Sequence, residues 1–417
     1  MKKLLTILLM ISVALPVFAT EAEEEAEAEA FKQKSMKASP DTMMKMINEG
    51  WTDLYDHAKT QLRPGKSYVV IHVWDPGHVM DLRSADGFRA TLHSVGLINA
   101  GDLKIGHTWV SWRCQTDAGV LEGAAGVTGE NSTQTSKMLK GGFGLSAFKS
   151  VFTDGYMQWP ELLEWNADGE PGQLHTIFLQ VSDGVCKRTA GFVDTYVRHP
   201  NQPRKYFGLE PNPAKFQGAG CGSFGIVAAE QGGVFGDSKL SNHFWRNIRA
   251  KGRLFGRGAE VPVATRAYPA ANRSSVPLIN PVGGDVLTTD WTGTEESDPS
   301  LRIMDPELMI LSVREIYRQK YGELYRSNGK LAKSFLTRHN PGYAYRVFAS
   351  PDIGETKEMR AYRTERGQSE NELVFDGRMD AQAGRVIQAT RQWLREGGYK
   401  ARFTKVGERT AIILDKR

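Results

Sequence analysis

The most informative stretch of the sequence reads Phe216-Gln217-Gly218-Ala219-Gly220-Cys221-Gly222-Ser223-Phe224-Gly225-Ile226-Val227-Ala228-Ala229-Glu230. Small residues on both sides of Cys221 allow another backbone, or a substrate, to approach closely. The apolar residues after it predict a buried helix that begins at the cysteine. A thiol at a helix N-terminus lies at the positive end of the helix dipole, which favours the nucleophilic thiolate. The alternative interpretation is a small buried cysteine in a tightly packed turn.

The N-terminus has the layout of a secretory signal peptide over residues 1–19. Two lysines precede an apolar run, and the small residue Ala19 stands at the predicted cleavage point. We therefore expect a periplasmic or secreted bacterial protein. Residues 20–40 follow as an acidic spacer, predicted to be solvated because its first part holds only Glu and Ala and has no apolar face.

The net charge of +5 conceals a more basic folded part. Setting aside two lysines in the signal peptide and six glutamates in the spacer leaves about +9. This charge favours anionic partners such as lipid head groups or cell-wall polymers. The basic side chains predicted to contact an anionic envelope surface are Arg246, Arg249, Lys251 and Arg253, although a solvated linker is the alternative. No nucleic-acid partner is expected for an exported protein.

The chain has three cysteines, an odd number for an oxidising compartment. Cys114 and Cys186 each lie at the end of a strand-like segment, so a bridge between them is plausible and would leave Cys221 as a thiol. Other pairings stay open at this point. The sequence has no Cys-x-x-Cys pair and no His-Glu-x-x-His run, so we expect neither a metal nor a cofactor.

Hydrophobic patterning divides the chain into two predicted domains. The first, residues 41–245, holds predicted strands at 67–74, 105–114, 120–125 and 174–181, a helix at 187–197, and an insertion at 126–172 that would line or cover a site. Residues 246–300 are predicted to be a basic, proline-containing linker. The second domain, residues 301–417, is predicted to be a smaller α+β unit with helices at 306–321 and 379–395 and strands at 400–405 and 410–414.

Cysteine catalysis needs a base to accept the thiol proton and a group that orients this base. Of the nine histidines, His107 stands out because it begins a strand, follows a glycine and faces a loop end. A structural role for this histidine is the alternative.

Three short motifs together resemble a circularly permuted NlpC/P60 domain, which has a papain-like fold. They are Gly106-His107-Thr108-Trp109-Val110, Tyr206-Phe207-Gly208 and Gly220-Cys221-Gly222-Ser223-Phe224. The histidine precedes the cysteine, as it does in permuted members of the family, and the resemblance covers about residues 65–235. It implies an α+β fold with an antiparallel sheet and packed helices.

The resemblance also implies a third polar residue on the strand after the histidine, where Glu122 is the candidate for orienting the His107 ring. The alternative for Glu122 is a solvent-facing position. Gln217 is a candidate for stabilising an oxyanion together with the backbone N–H of Cys221. Tyr206 is a candidate contact to the substrate or the thiol loop, with simple packing as its alternative.

The sequence therefore predicts an exported cysteine hydrolase or acyltransferase that uses Cys221, His107 and Glu122. Peptide amides of the cell wall are the favoured substrates, because the predicted compartment and the resemblance both point to them. One alternative is a lipid-directed thiol acyltransferase, since permuted relatives include enzymes that act on acyl lipids. The other is a catalytically inactive module that binds envelope material.

Overall fold

The computed structural model describes residues 21–50, 60–74, 107–129, 155–163, 174–200, 212–249, 300–304, 309, 312–313, 377–406 and 409–417. The predicted signal peptide, Tyr206, and the greater part of the predicted insertion and linker lie outside these residues. The described helices are α1 (Glu21–Lys37), α2 (Pro40–Ile47), α3 (Asp183–Arg198), α4 (Cys221–Gly232) and α5 (Gly377–Glu396), with short 3-10 helices at Pro213–Lys215, Gly236–Ser238 and Leu240–Phe244.

A seven-stranded mixed sheet forms the centre of the described structure, which is α+β. The described strands, of this sheet and of a separate two-stranded one, are β1 (Ser67–Trp74), β2 (His107–Thr116), β3 (Gly119–Thr128), β4 (Tyr156–Gln158), β5 (Leu174–Val181), β6 (Trp245–Arg249), β7 (Ser300–Met304), β8 (Tyr399–Val406) and β9 (Arg409–Lys416). The order across the sheet is β4-β3-β2-β1-β5-β9-β8, and β6 pairs with β7 separately. The sheet is not wholly antiparallel as predicted, because β9 lies parallel to β5.

Alternation along β1 and β2 divides their side chains between the two faces of the sheet. We call the face that packs against α3 and α4 the helix face; it includes Thr108, Val110 and Trp112 of β2. The other side, which we call the opposite face, carries Trp109 stacked on His72 with ring centroids 4.9 Å apart. Both faces are buried here, which explains why β1 reads as a nearly continuous apolar run.

Helix α3 begins four residues before the predicted segment 187–197 and ends one residue after it. The Ser182 side chain caps the N-terminus by accepting a hydrogen bond from the N–H of Val185 at 3.3 Å. The residues buried against the sheet and α4 recur at helical spacing and are Cys186, Thr189, Ala190, Val193, Tyr196 and Val197. This helix contains the predicted segment 187–197.

A disulfide joins Cys114 of β2 to Cys186 of α3, with the two Cα atoms 5.4 Å apart. Of the pairings that the sequence leaves open, this is the one that forms. Both cysteines are fully buried, so the bridge fixes α3 on the helix face of the sheet. Cys221 is outside the bridge and keeps its thiol.

The C-terminal strands belong to the central sheet, which corrects the prediction of a separate domain over residues 301–417. The predicted helix at 379–395 and both predicted strands are present, but β9 pairs with β5 from Thr176↔Ala411 to Leu179↔Leu414. Pairing across more than two hundred residues leaves no local sequence signal. Helix α5 also packs back on the first unit, with the rings of Trp393 and Phe235 5.6 Å apart.

The end of the predicted acidic spacer is part of the fold. Helix α1 docks on β4, where the Ser35 hydroxyl donates to the carbonyl of Met157 at 2.8 Å and Phe31 meets Trp159 edge-on. The aromatic and hydroxyl side chains that make these contacts follow the Glu/Ala run, which explains why its composition did not reveal them. Among the described residues, no helix combines the length and apolar character needed to cross a membrane.

Candidate functional site

Cys221 is the first residue of α4 and is half-buried. Gly220 precedes it as the N-cap, and the Ser223 hydroxyl accepts a hydrogen bond from the Gly220 N–H at 3.1 Å, so the start of the helix is fixed by its own third residue. Most residues after Ser223 are buried, and Gly233 ends the helix in a left-handed conformation at φ 86°. The predicted cysteine at the start of a buried helix is confirmed.

Helices α3 and α4 are antiparallel neighbours. At one end, the rings of Tyr196 and Phe224 meet edge-on with centroids 5.0 Å apart. At the other, the Arg188 side chain donates to the carbonyl of Gly232 at 3.1 Å, and a Cβ on Gly232 would overlap the Thr189 side chain. The N-terminus of α4, with Cys221, therefore lies at the same end as the C-terminus of α3.

Helix α4 approaches β2 closely at the start of the strand. A Cβ on Gly225 would lie 3.0 Å from Cγ2 of Thr108 and 3.1 Å from the carbonyl carbon of Trp109. Cys221 is one helical turn before Gly225, on the same side of the helix. The thiol therefore lies near the level at which β2 begins, on the helix face of the sheet.

His107 begins β2, as predicted, but its ring belongs to the opposite face. Its Nε2 atom lies 2.5 Å from Oε1 of Gln158, and its ring is 5.8 Å from that of Trp109. Burial lowers the pKa of His107 from 6.5 to about 4, against a smaller raising effect of the Gln158 hydrogen bond. The imidazole is therefore neutral near pH 7, and its Nε2–H donates to the Gln158 carbonyl.

Strand alternation separates the predicted nucleophile from the predicted base. Thr108, the neighbour of His107, faces α4, and the residue before it in a regular strand must face the other way. The structure thus brings the start of β2 to the cysteine helix, but directs the His107 ring away from it, towards Gln158.

The structure does not bring Glu122 to His107. Extending the β2–β3 register places Thr128 opposite His107, and Glu122 lies six residues further along β3, which is about 20 Å. Its carboxylate instead accepts a hydrogen bond from Arg113 at 2.6 Å, a half-buried cross-strand ion pair. Gln158 occupies the place beside the imidazole that the resemblance gave to Glu122.

The loop before the cysteine is held by local contacts. Gln217 is half-buried, and its Oε1 atom accepts a hydrogen bond from the N–H of Asn212 at 3.4 Å, which helps to close the loop. Its Nε2 group carries the N–H donors that an oxyanion would need. Phe216 adopts a left-handed conformation with φ 52°. For a bulky residue this costs about 1–2 kcal/mol, and such strain is concentrated at functional sites.

Two polar side chains near α4 were missed at the sequence level. His199 follows the last residue of α3 and stacks on Phe216, with the rings 4.2 Å apart and nearly parallel. The hydroxyl of Tyr196 is buried with no hydrogen-bond partner among the described residues, and burial raises its pKa above the usual value. The only sequence signal for His199 was Pro200, which marks the end of the helix.

The chain matches no protein-family model, no curated protein and no solved structure. In the part of the chain that the structure describes, no group of three or more His, Cys, Asp or Glu side chains is arranged to hold a metal ion.

Proposed function

We propose that this protein is an exported thiol hydrolase or acyltransferase with Cys221 as its nucleophile, on a permuted papain-like scaffold. The observation that carries the proposal is the position of Cys221 as the half-exposed first residue of a buried helix, outside the only disulfide of the described chain. Backbone N–H groups at a helix N-terminus favour a thiolate and can stabilise an oxyanion beside it.

The proposed reaction is acyl transfer through a thioester. The Cys221 thiolate attacks the carbonyl carbon of an amide or ester, and the C–N or C–O bond breaks as an imidazolium gives its proton to the leaving amine or alcohol. Water, or an amine or alcohol acceptor, then attacks the thioester carbonyl and releases the thiol. The N–H of Cys221 is one oxyanion donor in this scheme, and the amide of Gln217 is the second.

Export and the substrate class belong to the same proposal. The buried Cys114–Cys186 bridge supports an oxidising compartment, because structural disulfides persist outside the cytoplasm. Peptide amides of the cell wall remain the favoured substrates, with acyl lipids as the alternative. The contact of Arg246, Arg249, Lys251 and Arg253 with an anionic envelope surface also stays a prediction.

A chromogenic ester tests the nucleophile even while the natural substrate is unidentified. The mature protein should release p-nitrophenol from a p-nitrophenyl acyl ester in a burst of one equivalent per chain, and Cys221→Ala should abolish the burst. His243→Gln, an exposed change in the 3-10 helix Leu240–Phe244, is the control and should keep the burst. A burst that survives in Cys221→Ala excludes this nucleophile. Cell-wall peptides and phospholipid vesicles, offered in parallel, then separate the two substrate classes.

The second candidate function is an inactive envelope-binding module, and the orientation of His107 favours it. An imidazole that faces Gln158, with a pKa near 4, is poorly suited to serve a thiol on the helix face. In that case Cys221 should react with iodoacetamide no faster than an ordinary cysteine in a short peptide, and no burst should appear.

A further inference from the structure

We propose that the C-terminal unit of the fold, which consists of α5, β8 and β9, docks on the surface of an anionic phospholipid membrane. The side chains that would meet the membrane are Arg385, Arg391, Arg395 and Lys416, which we call the C-terminal basic surface. This inference goes beyond the proposed function and does not depend on it, because it involves neither Cys221 nor the motifs that resemble a known family.

Most of the positive charge of the folded chain lies in this unit. Residues 377–417 hold ten Lys and Arg against four Asp and Glu, so their net charge is +6, which exceeds the +5 of the whole chain. The almost fully buried Asp415 pairs with Arg402 at 2.6 Å, and this internal pair contributes no net charge. The excess of cations therefore belongs to the rest of the unit.

Three arginines lie on the outer face of α5. The side chains by which the helix packs against the fold are buried and are Val386, Thr390, Trp393 and Leu394. At about 100° per residue, the opposite side of the helix carries exposed or half-exposed side chains, which are Arg385, Gln388, Arg391, Gln392 and Arg395. This face therefore presents only cations and neutral hydrogen-bonding amides.

Lys416 of β9 adds a fourth cation beside the C-terminal end of α5. Its Nζ atom lies over the ring of Tyr399, 5.5 Å from the ring centroid. The Tyr399 ring in turn lies 5.0 Å from the ring of Trp393 in α5. These contacts place Lys416 on the same side of the sheet as the helix.

None of these four cations forms an ion pair with a described residue. By contrast, the exposed Arg198 of α3 lies 2.7 Å from Asp41. The exposed carboxylate near the C-terminal end of α5, that of Glu396, accepts a hydrogen bond from Gln392 at 2.7 Å and does not pair with an arginine. The positive charge of the C-terminal basic surface therefore stays available to an anionic partner.

The acidic and basic ends of the chain dock at opposite edges of the sheet. Helix α1, which begins with the Glu-rich run, docks on β4 at one edge, and β8 is the last strand at the other. Six strand spacings separate the two edges, which is about 30 Å. This distance exceeds the Debye length of about 8 Å at physiological ionic strength, so the docked end of α1 does not screen the C-terminal basic surface.

The layout of the cations favours a membrane over a polymer held in a groove. Arg385 and Arg395 are about 15 Å apart along the axis of α5, and the side chains spread over a helix face instead of converging on one point. Val120 of β3 is the only exposed large hydrophobic side chain in the described part of the chain, so this surface offers no exposed ring on which a base could stack. Separate phosphates at a flat lipid surface attract such a face without a pocket.

Vesicle flotation tests the surface in the mature protein, residues 20–417. The protein should float with vesicles made half of phosphatidylglycerol and half of phosphatidylcholine, and not with vesicles of phosphatidylcholine alone. The combined variant Arg391→Gln, Arg395→Gln and Lys416→Gln should bind on the order of 100-fold more weakly, because each cation near the surface contributes about fivefold. The matched control removes the same charge from exposed lysines elsewhere, through Lys45→Gln, Lys187→Gln and Lys215→Gln, and should keep its binding.

Equal losses in the two combined variants would overturn the inference, because net charge alone would then explain the binding. So would binding that depends on Arg246, Arg249, Lys251 and Arg253 and not on the C-terminal basic surface, or binding to double-stranded DNA without binding to the vesicles. A second measurement needs no variant: binding of the wild type should disappear at about 1 M salt, where the Debye length is about 3 Å. Binding that persists there overturns the inference. None of these outcomes bears on the reactivity of Cys221, so the proposed function stands or fails separately.

Discussion

Gly225 of α4 lies directly against Thr108 of β2, so closely that a Cβ on the glycine would be 3.0 Å from the threonine Cγ2 atom. This contact sets the distance between the cysteine helix and the sheet. It also shows that Thr108, the second residue of β2, is the one that faces α4 at the start of the strand. The position of Cys221 follows from it, one turn earlier in the same helix.

Gly225→Ala should lower the stability of the protein, although alanine is the better helix former. The added methyl must displace Thr108 and the backbone of Trp109, and such overpacking costs about 1–3 kcal/mol. Gly191→Ala in α3 is the matched control, because a Cβ there meets nothing within 4 Å and should stabilise by about 0.5–1 kcal/mol. Urea denaturation of both variants gives the two changes, and equal stabilisation would contradict the close contact.

Glu122→Gln should leave the reactivity of Cys221 unchanged. The carboxylate forms a half-buried ion pair with Arg113 across β2 and β3 and lies about 20 Å from the level of His107. The variant should lose less than about 1 kcal/mol of stability, the usual worth of a solvent-accessible ion pair. Iodoacetamide alkylation and urea denaturation measure the two effects. A large fall in the alkylation rate would instead indicate that Glu122 acts on the Cys221 thiol.

Local patterns predicted the elements that carry the site. The apolar spacing of α3, the apolar run of β1 and the glycine-rich turn before Cys221 each act over a few residues, so their structures follow from nearby sequence. The side of β2 on which His107 lies was also encoded by alternation. The sequence does not show which face of the sheet receives α4, because β1 and β2 are buried on both faces.

The parts that could not be predicted depend on contacts between distant segments. Gln158 sits in a three-residue strand within a stretch predicted to be an insertion, too short for a periodic signal. The parallel pairing of β9 with β5 brings Ala411 opposite Thr176, a residue far away in the sequence.

The free energy of unfolding should fall as the pH is lowered from 6.5 to 4, because His107 is buried in its neutral form. Its folded pKa is about 4 against an ordinary 6.5, because burial disfavours the charged ring. In this window the unfolded chain binds a proton at His107 that the folded chain does not, so the free energy of unfolding falls with pH, by at most about 3 kcal/mol at pH 4. The contribution is complete above pH 6.5.

The His107→Gln variant removes this titration. Urea denaturation at pH 7 and pH 4.5 should show a smaller loss of stability for the variant than for the wild type, by up to about 2 kcal/mol. Identical losses in both proteins would mean that the ring of His107 is not kept neutral by burial. The measurement is independent of any activity of Cys221.

Removing the bridge with Cys114→Ala and Cys186→Ala should destabilise the protein strongly. The disulfide closes a loop across 72 residues of sequence, and the chain-entropy relation gives about 4 kcal/mol for a loop of this size. Thiol titration provides the companion measurement, since the protein purified without reductant should show one thiol per chain after unfolding. Three thiols would show that the bridge does not form in the purified protein.

The C-terminal strands should be required for the first unit to fold. Asp415 of β9, almost fully buried, accepts hydrogen bonds from the Tyr68 hydroxyl at 3.0 Å and from Arg402 at 2.6 Å. Burial raises the pKa of Tyr68 to about 12, so this hydroxyl stays a donor throughout the physiological range. Asp415→Ala should cost about 3 kcal/mol, because it leaves the buried Tyr68 hydroxyl without its acceptor and breaks the ion pair with Arg402.

Ending the chain at residue 376 removes α5, β8 and β9 together and exposes the edge of β5. An unpaired edge beside a buried apolar core favours aggregation. We expect the truncated protein to be insoluble or to lack a cooperative urea transition, whereas Glu396→Gln, an exposed change in α5, should behave as the wild type. A soluble, cooperatively folding truncation that still alkylates at Cys221 would instead establish the C-terminal segment as a separate domain.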